Sequence, residues 1–219
     1  MDVDPNDNSH VFASGRIGLY EFKSGKFVKE YNYTNSPLQG AATVQNLSKD
    51  YVIVQGLRFD DSSNLWLFNS NSATTSLFEL TSENKWNSFH KNVFMNDGRS
   101  FDNMTNPFFD SRKLLWFVDD YWGYPALVSY NKSTDKAHII HNFVNQDGTQ
   151  LTLYYVRCAE EDKENNIWIG TSVGPLMLES SNVTDANPVF QQIKVPRNDG
   201  SNYADYLLSG VDITCMAVD

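Results

Sequence analysis

The segment Asp119-Asp120-Tyr121-Trp122-Gly123-Tyr124-Pro125 places two carboxylates and three aromatic rings within seven residues. A turn needs little more than Gly, Pro or short polar residues. The surplus rings could stack on a sugar or anchor a protein partner, because aromatic side chains combine large rigid contact area with few rotatable bonds. The alternative is that Trp122 and Tyr124 fold back against a neighbouring layer as local core.

Other residue types that could do chemistry are placed less suggestively. Cys158 and Cys215 have no second cysteine at C-x₂-C spacing, so a metal site is not expected. They read as unpaired, small core residues. Of His10, His90, His138 and His141, the last two lie three apart on an expected strand, point to opposite faces and could not share an ion. The acidic runs Glu160-Glu161-Asp162-Lys163-Glu164 and Asp4-Pro5-Asn6-Asp7-Asn8 lack the spacing of a calcium loop and suit turns. No Gly-x-Ser-x-Gly, phosphate loop or His-Glu-x-x-His occurs. No catalytic residue, metal ligand or cofactor is therefore assigned. The five Asn-x-Ser/Thr sequons, at Asn32, Asn46, Asn103, Asn131 and Asn182, are no more than an Asn- and Ser/Thr-rich chain produces by chance.

The elements that must position these residues follow from an internal repeat. Its best copy reads Asp162-Lys163-Glu164-Asn165-Asn166-Ile167-Trp168-Ile169-Gly170-Thr171. Related copies are Asp60 to Leu67, Asp110 to Phe117 and a weaker one around Asn6 to Ala13. The anchors Phe12, Trp66, Trp116 and Trp168 recur about every fifty residues, and an Asp stands six before each Trp. Each anchor is followed by two further apolar stretches separated by Asn/Asp/Ser/Gly turns, with no sustained helical period. Each repeat thus reads as one four-stranded antiparallel blade of an all-β propeller, with the Trp buried between blades. Approximate repeats are 1–50, 51–101, 102–151 and 152–210, and 211–219 reads as the first strand of a further blade. The piece is expected to belong to a larger propeller, and its open blade edge to pair with another copy or with missing blades.

In such a fold the loop at Asp119–Tyr124 should share a face with Ser14-Gly15-Arg16, Asn69-Ser70-Asn71 and the long segment Phe94–Phe101. The expected ligand-binding set is therefore Asp119, Asp120, Tyr121, Trp122, Tyr124, Arg16, Asn69 and Arg99. At 219 residues, 14% aromatic and 20% charged, the chain should fold. A net charge of −10 without a basic cluster disfavours nucleic acid. No apolar run is long enough to span a bilayer as a helix.

Asp162 to Leu176 resembles the two-component regulator propeller repeat of Bacteroidota: an Asp, a turn, Ile-Trp-Ile-Gly-Thr, then a Gly and a Leu. The other copies lose the Gly-Thr, and Pro175 precedes the Leu even here. A narrower likeness, to the PorZ-type surface propellers of the type IX secretion system, runs through Gly18-Leu19-Tyr20-Glu21-Phe22, Tyr31 to Leu38, Gly56 to Asp60 with Asn64-Leu65-Trp66, and Ile213 to Asp219. The resemblance implies a non-catalytic, extracytoplasmic scaffold, at the cell surface or in the periplasm, that binds a glycan, lipopolysaccharide or a protein partner. The alternative it implies is the periplasmic sensor of a hybrid two-component histidine kinase that recognises an oligosaccharide.

Overall fold

The computed structural model describes residues 1–43 and 50–218. The Asn46 sequon and Asp219 lie outside the described residues. The chain divides into two compact units, Met1–Pro107 and Phe108–Asp219.

The first unit holds two four-stranded antiparallel meanders. One runs β1 (Asp2–Asp4), β2 (Asp7–Ser14), β3 (Leu19–Lys23) and β4 (Lys26–Tyr31). The other runs β5 (Val54–Phe59), β6 (Leu65–Asn69), β7 (Leu77–Leu80) and β8 (Trp86–Ser88). The short hairpin of β9 (Met95–Asn96) and β10 (Arg99–Ser100) follows. A third meander, β11 (Met104–Phe109), β12 (Leu115–Asp119), β13 (Ala126–Asn131) and β14 (Lys136–Ile140), begins where the division between units falls.

The fourth repeat departs from this pattern. Its sheet has three strands, β17 (Val156–Glu161), β18 (Ile167–Thr171) and β19 (Gly174–Leu178). Before it come β15 (Phe143–Asn145) and β16 (Gln150–Leu151). The fourth stretch is drawn elsewhere: β20 (Val189–Phe190) pairs parallel with β15, and only Gln191 bridges back to Met177 of β19. A hairpin of β21 (Lys194–Pro196) and β22 (Ala204–Tyr206) ends the paired structure. Val211–Val218 forms no strand, contrary to expectation. It lies instead against β17 and β18. The Ile213 N–H donates to Thr171 O, and Ile213 packs over Gly170.

The inner strands β6 and β12 are buried along their whole length, which is why Leu65-Trp66-Leu67-Phe68 and Leu115-Trp116-Phe117-Val118 do not alternate. Within the first unit, Phe12, Leu19, Tyr31, Phe59, Leu67 and Phe78 belong to one apolar layer. Within the second, Trp116, Leu127, Ile140, Ile169, Leu176 and Phe190 belong to another.

The spacing of Asp and Trp has a physical cause. One oxygen of Asp60, Asp110 or Asp162 accepts the backbone N–H groups two and four residues on, and the other accepts the indole N–H of the Trp six on, at 3.2, 2.9 and 2.8 Å. The third residue after each Asp (Ser63, Lys113, Asn165) takes a positive φ, and its N–H closes the turn on the Asp carbonyl. In the first repeat the turn is shorter, with Asp4 directly opposite Asp7. Phe12 keeps the Trp register, opposite Asp2 and Glu21 as Trp66 is opposite Arg58 and Glu79. His10 takes the place of the indole, its Nδ1 3.4 Å from the carboxylate of Asp4. Phe12, Trp66 and Trp116 are buried as expected, whereas Trp168 is half-buried, with Met216 and Val218 beside it.

Candidate functional site

The site candidate lies in the second unit, at the turn between β12 and β13. Asp119 ends β12 opposite Ala126 and is buried. The turn closes with the Tyr124 N–H on the Tyr121 carbonyl. Trp122 is 64% exposed and Tyr124 43% exposed, so the rings do not fold back as core. Tyr121 lies beside Trp122, with ring centroids 6.0 Å apart. The Tyr124 ring packs against His141, centroids 3.7 Å apart and planes tilted by 34°, and the His141 Nδ1 lies 3.1 Å from the Pro125 carbonyl at the end of the same loop. That bond needs a proton on Nδ1, because a carbonyl only accepts. Burial holds the His141 pKa below the ordinary histidine value, so the ring is neutral at pH 7.

Asp120 is a brace. It accepts both oxygens' bonds from Arg157 Nη1 at 3.3 Å, while Arg157 donates from Nη2 to Asp212 at 2.7 Å and from Nε at 3.2 Å. The guanidinium also sits 3.6 Å over the Tyr155 ring. Burial pushes the Asp120 pKa up, with the nearby Asp212 charge acting the same way and Arg157 opposing them. The arginine pKa is driven upward by its carboxylate partners. The loop carrying the rings is thus tied through one cation to β17 and to the segment after β22.

The other expected residues, Arg16, Asn69 and Arg99, belong to the first unit. Asn69 is fully buried and its amide is consumed internally. Its Oδ1 accepts from Gln39 N and Thr75 Oγ1, and its Nδ2 donates to the Gln39 and Ile53 carbonyls, so it organises loops and is not offered to a ligand. Arg99 forks onto Asp102 at 3.1 and 3.3 Å. Arg16 is exposed, its guanidinium 6.0 Å from the Tyr51 ring centre.

A cleft of about 490 Å³ adjoins the aromatic loop through His141, lined among others by Asn142, Gln150 and Asn187. Sequence reasoning missed it, having weighed His141 only as a metal ligand or catalyst. The available signal was the run of amides in the connection from Asn142 to Gln150.

Cys158 and Cys215 are both free thiols. Cys158 is buried, and burial pushes its pKa up to about 11. Cys215 is exposed, not core, and its segment forms no strand. Among the described residues no three His, Cys, Asp or Glu side chains converge as metal ligands. No helix among them is long and apolar enough to cross a membrane.

Residues 150–173 match the family described as two component regulator propeller. No curated protein matches the chain. Among solved structures, PorZ, an essential bacterial surface component of the type-IX secretion system of Porphyromonas gingivalis, covers 99% of this chain with a TM-score of 0.83 at 18% identity. The chain spans 29% of that structure's length. The extracellular domain of the hybrid two component system BT3049 from B. thetaiotaomicron covers 95% of this chain, which spans 23% of it, with a TM-score of 0.50 at 16% identity. A protein assigned as a gluconolactonase covers 86%, with 60% of its own length spanned, at TM-score 0.50 and 12% identity. At these identities the likeness is one of fold. The chain is all-β, its sheets are propeller blades, and it carries a two-component regulator propeller repeat within an architecture similar to that of PorZ.

Proposed function

We infer that this chain is a non-catalytic, extracytoplasmic propeller scaffold, part of a PorZ-like surface component, that binds a glycan or the saccharide of lipopolysaccharide. One observation carries the reading: Trp122 and Tyr124 stand exposed on a loop that is itself braced, by Asp120 on Arg157 and by Tyr124 on His141. Exposed rings on a held backbone lose little entropy on stacking against a sugar or a partner side chain. The extracytoplasmic placement rests on the surface location of PorZ and on the extracellular one of the BT3049 domain.

The test is titration of the purified chain with lipopolysaccharide and with neutral oligosaccharides, read by tryptophan fluorescence and calorimetry. Binding should fall at least about tenfold in Trp122→Ala, as for loss of a base or ring stacked on an aromatic side chain. Binding that Trp122→Ala leaves unchanged, or none at all, overturns the reading. A second reading, the oligosaccharide sensor of a hybrid two-component kinase, is favoured by the repeat match at 150–173. A gene that continues into a membrane helix and kinase domains selects it. Edge-to-edge self-association remains part of the proposal, checked by light scattering against concentration.

A further inference from the structure

The cleft beside the aromatic loop bears on which saccharide chemistry the second unit accepts. It lies between Ile139–Val144 and Ala186–Val189, and its volume of about 490 Å³ is that of an ordinary small-molecule site. Its walls set the apolar Ile139, Val144 and Pro188 against the carboxamides of Asn142, Gln150 and Asn187. The Asn142 and Asn187 side chains bond to no other described residue. Among the described residues, no Lys, Arg, Asp or Glu lines the cleft. His141 lines it too and packs against Tyr124, so the cleft adjoins the aromatic loop.

An anionic sugar moved into this cleft would give up hydration and find no guanidinium or ammonium to replace it. The net charge of −10 adds an unfavourable field. A neutral polyol fits the same walls. Its hydroxyls donate and accept as carboxamides do, and its C–H faces lie against apolar and aromatic surface. We propose that the cleft is a subsite for an uncharged sugar unit of a glycan whose adjoining unit stacks on Trp122 and Tyr124. This rests on the glycan-binding reading above and makes it narrower.

The experiment uses the whole chain, two probe sets and three variants. The neutral set is oligomers of glucose, mannose and galactose; the anionic set is oligogalacturonate and dextran sulfate. The variants are Gln150→Leu, Asn187→Leu and Trp122→Ala, all at exposed positions, with thermal melts confirming the fold. At least one neutral oligomer should bind with little salt dependence, and Gln150→Leu and Asn187→Leu should each weaken it tenfold or more. Neutral binding lost in Trp122→Ala but untouched by both cleft variants overturns the subsite and leaves the glycan reading standing. Binding confined to the anionic set and weakened by salt does the same. If no probe of either set binds, the glycan reading falls and the subsite with it.

Discussion

Asp110→Ala tests the Asp–Trp clasp that defines the repeat. The Asp110 side chain is fully excluded from water. It accepts from the backbone N–H groups of Arg112 at 2.9 Å and Leu114 at 2.8 Å and from Trp116 Nε1 at 2.9 Å, and it pairs with Arg112 Nη1 at 3.2 Å. Alanine strands two donors where water does not reach, since Leu114 and Trp116 are both buried. Each orphaned buried donor costs about 1–3 kcal/mol, and Arg112 still has Glu161 at 3.1 Å, so the loss should be about 3–5 kcal/mol. Asp162→Ala removes the same bonds from a clasp whose Trp168 is half-buried, where water can substitute, and should cost about 1–2 kcal/mol. Urea unfolding of both variants, followed by tryptophan fluorescence and far-UV circular dichroism, gives the two costs. Coincidence of the two probes must be checked first, because the chain has two units. If the two variants fall within about 1 kcal/mol of each other, burial of the clasp is not what sets its worth and the argument from orphaned donors fails.

Gly56→Ala should destabilise by about 2–4 kcal/mol: Gly56 has φ +56° in the bulge of β5, and a Cβ there would collide with the Phe68 ring. Chemical unfolding that shows less than about 1 kcal/mol would contradict that geometry. In the native protein at pH 8 a maleimide should label Cys215 rapidly and Cys158 only after unfolding, because burial raises the Cys158 pKa to about 11; mass spectrometry showing two fast labels, or none, counts against this. Burial alone would raise the Asp162 pKa, but the hydrogen bonds from Asn166 and Trp168 and two backbone N–H groups outweigh it and hold the pKa below 3.8. A depressed folded-state pKa stabilises above the unfolded value and is lost as pH falls through the folded one. Asp162→Asn should therefore flatten the decline in stability below about pH 4, and an unchanged acid limb would refute the assignment.

The periodic Asp and Trp, and the apolar runs between turns, were enough to read the blades, because a strand meander is written in local spacing and the clasp joins residues only six apart. The same locality made the loop at Asp119–Tyr124 visible as a surplus of rings. What the sequence could not show is which polar groups are already spent. Asn69 looked like a loop residue open to ligand, yet contacts thirty residues away with Gln39 fill its amide. Arg157, unremarked in sequence, draws Asp120 and Asp212 together across separations of 37 and 55 residues. The cleft likewise exists only because β20 leaves its own sheet to pair with β15, setting Asn187 near Asn142. Strand periodicity is fixed by neighbours along the chain, whereas the pairing of a short edge strand and the partners of a long side chain are decided by competition among distant groups.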